Sequence, residues 1–229
     1  MNETMLLAVR FKVEGSLRFL SHAETLRLFQ RACVRAGLAL RYSEGFNPHP
    51  KLSLPLPRSV GVESDDELLC LWVEREPPAE ADVLDESAGM DQESRIMAAL
   101  TPQLPQGCEL LSVSTPETGA SFQPRAATYV LPVKRERFSE QLKATAEQVL
   151  ASEHLPLRRP TDDSGLNFKN VDVRSFLKSI KLEDGSIIVE CEIRPDGSVR
   201  VDEILKLLGL DEAALAAPIR RTNVQWHSG

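Results

Sequence analysis

One order of elements, met twice along the chain, constrains this sequence most. Residues 6–13 alternate, with Leu7, Val9, Phe11 and Val13 on one side and Leu6, Ala8, Arg10 and Lys12 on the other. That is the pattern of a strand whose second face turns basic towards its end. Ser21-His22-Ala23-Glu24 has the form of a capping box, so a helix starts there and runs to about Ala36, where Gly37 stops it. A short strand over 38–42, a Gly/Pro-rich loop over 43–51, a proline-broken edge strand over 52–56 and a strand over 67–73 follow. Beyond an acidic, proline-containing stretch (74–91), residues 93–100 read as a helix and 109–113 as a strand. Residues 114–124, rich in Ser, Thr, Gly and Pro, form a linker. The pattern then restarts: strand 126–133, helix 138–151, a strand-like segment 171–182, strand 187–193 after the Asp184-Gly185 turn, helix 201–208 ended by Gly209, and a last strand 218–226. Both halves read β-α-β-β-α-β. This predicts an α+β chain of two tandem ferredoxin-like domains, 1–115 and 124–229, each an antiparallel sheet covered on one face by two helices. The copying is architectural and does not extend to a residue-level repeat.

The 229 residues, 42% hydrophobic and 27% charged, suit two globular domains of ordinary size. No apolar run approaches the ~20 residues of a membrane span. The start of the chain also lacks the basic and apolar regions of a secretion signal, so a cytoplasmic location is expected. Cys33, Cys70, Cys108 and Cys191 are scattered without ligand spacing. They read as reduced core thiols, with neither zinc nor an iron–sulfur cluster, and no cofactor is expected.

Charge is unevenly placed. Residues 1–60 hold 9 Lys and Arg against 4 Asp and Glu, residues 61–123 hold 2 against 14, and residues 124–229 hold 16 against 16. At about 100° per residue, Arg27, Arg31 and Arg35 fall within a wedge of about 80° on the first helix, opposite Leu26, Phe29, Cys33 and Ala36. Such a ridge of planar guanidinium donors suits phosphate, and suits equally a solvated face or an acidic partner. The loop Ser43-Glu44-Gly45-Phe46-Asn47-Pro48-His49-Pro50-Lys51 is stiffened by two prolines and turned at Gly45. It offers a ring, an amide, an imidazole and an ammonium, groups able to stack on a base and bond its edge. The alternative is that Phe46 anchors the loop in the core while Asn47 and His49 bond only to backbone. Ligand contact is therefore assigned to Arg10, Lys12, Ser21, His22, Arg27, Arg31, Arg35, Ser43, Phe46, Asn47, His49 and Lys51, with helix and loop converging on one cationic pocket. Lys169, Asp172, Arg174 and Arg221 in the second half form a secondary set, open to the reading that they are surface ion pairs. His22 and His49 are the candidates for an acid/base pair should the chain be an enzyme. No phosphate-binding glycine motif, nucleophile elbow or zinc-protease motif is present.

On several segments the sequence resembles the bacterial radical SAM-linked proteins, a conserved domain of unknown function. These are Arg10-Phe11-Lys12, Phe19-Leu20-Ser21-His22, Arg31-Ala32 with Arg35-Ala36-Gly37, the run from Tyr42 to Ser53, and Val60-Gly61-Val62-Glu63-Ser64 with Glu67. Weaker matches continue through residues 105–107, 169–174 and 220–222. The resemblance implies association with a cobalamin-binding radical-SAM protein, beside which such domains occur as neighbours or as C-terminal fusions. Because no Cys-x-x-x-Cys-x-x-Cys set is present, it also implies that any radical chemistry belongs to the partner. The expected function is a non-catalytic module that recognises RNA or a nucleotide-like ligand for that partner. A metal-independent RNA-processing enzyme using His22 and His49, or a purely protein-docking subunit, are the alternatives.

Overall fold

The alternation over residues 6–13 becomes strand β1, Thr4–Val13, which pairs antiparallel with two neighbours: Val9 stands opposite Leu69 on one side and Val113 on the other. The structure is a computed structural model and describes residues 4–74, 91–117, 119–161 and 167–228. It is of mixed α+β class. The chain divides into two units, Met1–Gln123 with Ser228–Gly229, and Pro124–His227.

In the first unit β1 is followed by α1 (His22–Arg35), β2 (Leu52–Ser53), β3 (Glu63–Glu74), α2 (Gln92–Leu100) and β4 (Cys108–Ser114). The strands lie in the order β4-β1-β3, with the two-residue β2 on β3. Leu7, Val9, Phe11 and Val13 meet Phe29, Ala32 and Cys33 of α1 and Ile96 and Leu100 of α2 in one core. Phe11 and Phe29 pack edge to face, ring centroids 4.6 Å apart. The other face of β1 is buried as well at Leu6 and Ala8, where alternation suggested a half-polar strand.

Helix α1 starts where expected and for the expected reason. The Ser21 hydroxyl oxygen accepts from the Glu24 amide at 3.3 Å, and the Glu24 carboxylate accepts from the Ser21 amide at 2.8 Å. The strand expected over 38–42 is reduced to isolated bridges, Leu40 with Val73 and Tyr42 with Pro50. Prolines 48 and 50 bring no amide donors, so no ladder extends there. In the other direction β3 begins four residues before the expected Glu67, because its acidic start is built into the fold. The buried Glu63 accepts from the Gly15 amide at 2.9 Å, and the buried Asp66 pairs with Arg10. The acidic stretch expected over 74–91 lies, apart from its ends, outside the described residues.

The second unit contains β5 (Phe122–Pro132), α3 (Glu140–Ala151), β6 (Pro156–Pro160), β7 (Phe168–Asp172), β8 (Leu177–Glu183), β9 (Ser186–Glu192), α4 (Val201–Leu207) and β10 (Arg220–Ser228). Its sheet runs β10-β5-β9-β8, and β6 with β7 makes a separate two-stranded antiparallel ribbon. The segment expected as one strand over 171–182 is broken after Asp172 by the buried Val173 and a 3-10 turn, Arg174–Phe176. The ribbon itself was not expected. Its adjacent arginines disguise the period: Arg158 faces out, while Arg159 turns inward to a bidentate pair with Glu203 of α4, at 2.6 and 2.7 Å. Among the described residues no helix is long and apolar enough to cross a membrane.

Candidate functional site

The three arginines placed on one face by helical spacing do form an outward row. Their neighbours Phe29, Ala32 and Cys33 are fully buried, while Arg27, Arg31 and Arg35 are exposed. The row borders an open groove of about 750 Å³. Its opposite bank is the segment after α2, Pro102 to Pro105, and its floor carries Leu17, Leu20, Leu28 and Leu104. Four residues of helix rise ~6 Å, so the guanidinium groups recur at about that step along the groove.

The three guanidiniums are not equivalent. Arg35 bridges the groove: its Nη2 donates to the Gln103 carbonyl at 2.6 Å and its Nε to the Gln103 side-chain oxygen at 3.2 Å. Arg27 and Arg31 make no hydrogen bond or ion pair with the described residues. Glu24, also on the groove, is committed to the helix start, where the Ser21 hydroxyl and amide hold its carboxyl below the usual carboxylate range. The groove thus combines a leucine floor with a rim on which arginine outnumbers carboxylate.

The other expected contacts divide. Ser21 caps α1 and His22 is the helix's exposed first residue. Arg10 is paired with Asp66, and Lys12 lies 3.6 Å from Glu109, so both belong to ion pairs on β1. The loop 43–51 contributes nothing to the lining of this groove, whose bank opposite the arginines is 102–105. The loop projects separately from a closed neck. The Ser43 amide donates to the His49 carbonyl at 2.8 Å, the His49 amide to Ser43 Oγ at 3.0 Å, and the Lys51 amide to the Arg41 carbonyl at 2.7 Å. The Arg41 amide in turn donates to the Trp72 carbonyl at 2.8 Å, which fixes the neck at the C-terminal end of β3. Phe46 is not a core anchor; it is 106% exposed at the tip, and Asn47, His49 and Lys51 are exposed with it. No hydrogen bond links His22 to His49: one imidazole opens α1, and the other is carried by the loop that follows the helix's far end.

In the second unit, the candidates Asp172 and Arg174 are structural. Asp172 Oδ1 accepts from the amides of Leu155 and Arg174 at 2.9 and 3.0 Å, and Oδ2 lies 2.7 Å from His154 Nδ1. These contacts, the Leu155 amide foremost, lower the carboxyl to about 2. Arg174 donates to the carbonyls of Leu150, Ser152 and Leu177 at 2.7, 3.0 and 2.9 Å, which closes the C-terminal end of α3. Arg221 is 1% exposed and so does not face solvent, whereas Lys169 is exposed on β7. Beside it Arg158 stacks over the Phe168 ring at 4.6 Å.

Residues 7–203 match the family described as an uncharacterized protein conserved in bacteria, DUF2344. The chain belongs to that family. The DUF2344 match takes in α1, the loop 43–51, the bank 102–105 and the β6–β7 ribbon. No curated protein matches the chain. A solved structure of an unknown protein from Galdieria sulphuraria aligns over 99% of both chains, at 11% identity and a TM-score of 0.25, which carries no argument about this one.

The bank 102–105 was the part of the site that sequence reasoning missed. The signal available was the doubled proline, Pro102 and Pro105, immediately after a helix, which marks a stiff rather than a wandering connection.

Proposed function

We propose that this chain is a non-catalytic, cytoplasmic RNA-recognition module that binds through the α1 groove and serves a cobalamin-binding radical-SAM protein. The observation that carries the reading is the pair of exposed guanidiniums, Arg27 and Arg31, one helical turn apart above a leucine floor; neither donates a hydrogen bond to the described residues, and Arg27 feels the charge of Glu24 one turn before it. A phosphodiester chain offers anions to the rim and bases or riboses to the floor, so it matches both halves of that surface. A bare polyanion would match only the rim. That no hydrogen bond joins His22 to His49 favours recognition over acid/base cleavage. The radical-SAM association rests on the sequence resemblance. The strand orders β4-β1-β3-β2 and β10-β5-β9-β8, each with two helices, support reading the two units as tandem ferredoxin-like domains.

The test is equilibrium binding of the full chain to a fluorescently labelled single-stranded RNA 20-mer and to a tRNA transcript across a salt series. Binding at low salt should weaken steeply as salt rises, and Arg27→Ala with Arg31→Ala should lower the log–log slope by about 1.5, close to two single-strand phosphate contacts. Absence of binding to either RNA at low salt, or an unchanged slope in the double variant, overturns the reading. Capture of an acidic protein through the same arginines, with RNA excluded, points to the docking alternative.

A further inference from the structure

The most distinctive run of the sequence, the loop 43–51, lies outside the groove, and its chemistry remains to be accounted for. We infer that Phe46 is a stacking platform for an unpaired nucleobase, which makes single-stranded or looped RNA, and not duplex, the ligand of the first unit. This deepens the RNA reading above and rests on it.

Three observations carry the inference. The ring is wholly exposed, at 106%, so its face is open to a flat partner. An exposed apolar side chain is unremarkable on a mobile surface, but this one stands on a neck closed by the Ser43–His49 pair of hydrogen bonds and the Tyr42–Pro50 bridge. Pro48 and Pro50 restrict the descending side, and Gly45, at φ 126°, supplies a turn that a side chain would strain. Ordering such a loop on binding therefore loses little entropy. Finally, the surroundings are polar: Glu44, Asn47 and His49 are all exposed. The core of a protein–protein interface is apolar and depleted in charge, whereas an amide and an imidazole flanking an aromatic face are what a base needs at its edges. Glu44 lies 3.7 Å from Arg41, and Glu74 lies 4.0 Å from the same guanidinium, which offsets part of their repulsion of phosphate. Bases inside a duplex are stacked on one another and cannot reach the ring.

The experiment compares the wild-type chain with Phe46→Ala, Phe46→Trp and the Arg27→Ala/Arg31→Ala pair on a single-stranded RNA 12-mer containing 2-aminopurine and on a blunt duplex of the same length. The wild type should prefer the single strand and quench 2-aminopurine. Phe46→Ala should weaken single-strand binding by about 10-fold, within the range of base–aromatic stacking, and abolish quenching while leaving duplex affinity and the salt slope unchanged. Phe46→Trp should restore both affinity and quenching. If Phe46→Ala leaves single-strand affinity intact while the arginine pair loses it, the inference fails and the RNA reading stands. If no protein binds either RNA, both fail together. Loss of a co-purifying protein in Phe46→Ala, with RNA binding unaltered, also overturns the inference. Phe46 touches no core, so an unchanged thermal midpoint in Phe46→Ala checks that the readout is not misfolding.

Discussion

Single residues here mostly do one job, and the job is set by what each touches. Phe29, wholly buried and edge-on to Phe11, joins α1 to β1. Phe29→Ala should lower stability by about 3–5 kcal/mol, read as a fall in the urea midpoint at unchanged slope. Asp172 gives a pH signature. Its carboxyl titrates near 2 when folded, against ~3.9 in an unfolded chain. The stabilisation is therefore complete above about pH 4 and is lost as pH falls through about 2. The Leu155 amide resonance should titrate with that low midpoint, and Asp172→Asn should remove the titration. Burial raises Cys33, Cys108 and Cys191 to about 12 and Cys70 to about 11. At pH 8 the native protein should consequently react with a thiol reagent far more slowly than the urea-unfolded chain.

Elements are set by their ends and anchors. Ser21→Ala removes the oxygen that caps α1 and should cost about 1 kcal/mol in chemical denaturation. The β6–β7 ribbon depends on Arg159 and Glu203, whose side chains are only 9% and 5% exposed. Glu203→Ala leaves a buried guanidinium uncompensated and should cost about 3–5 kcal/mol, whereas Arg159→Met with Glu203→Leu should recover most of the loss. Gly107 stands where a Cβ would lie 2.7 Å from the Glu14 carbonyl oxygen, so the turn into β4 admits no larger residue without movement of backbone. Elements with local signals were legible in sequence: the capping box fixed the start of α1, alternation located β1, and the Asp184-Gly185 turn marked the start of β9. Elements whose reason is non-local were not. The buried acidic start of β3 meets Gly15 and Arg10, and the inward-turned Arg159 meets Glu203 and the Ser198 carbonyl, partners that no window of local sequence contains.

At the scale of the whole chain, a net charge of −7 coexists with an arginine rim in the first unit, so attraction of an anion is a property of one surface and not of the total. The RNA-binding prediction belongs here, because its salt slope counts local contacts and should be insensitive to charges elsewhere. The arginine row was readable from period alone. Its opposing bank was not, since that depends on where α2 delivers the chain; nor was the seat of the loop, which depends on the C-terminal end of β3. That delivery is fixed by Arg35, which ties the end of α1 to Gln103. A cleft whose two sides are already laced together has no jaw to close. Whatever enters it should arrive at the speed of encounter, and discrimination among ligands should be written in how long each one stays.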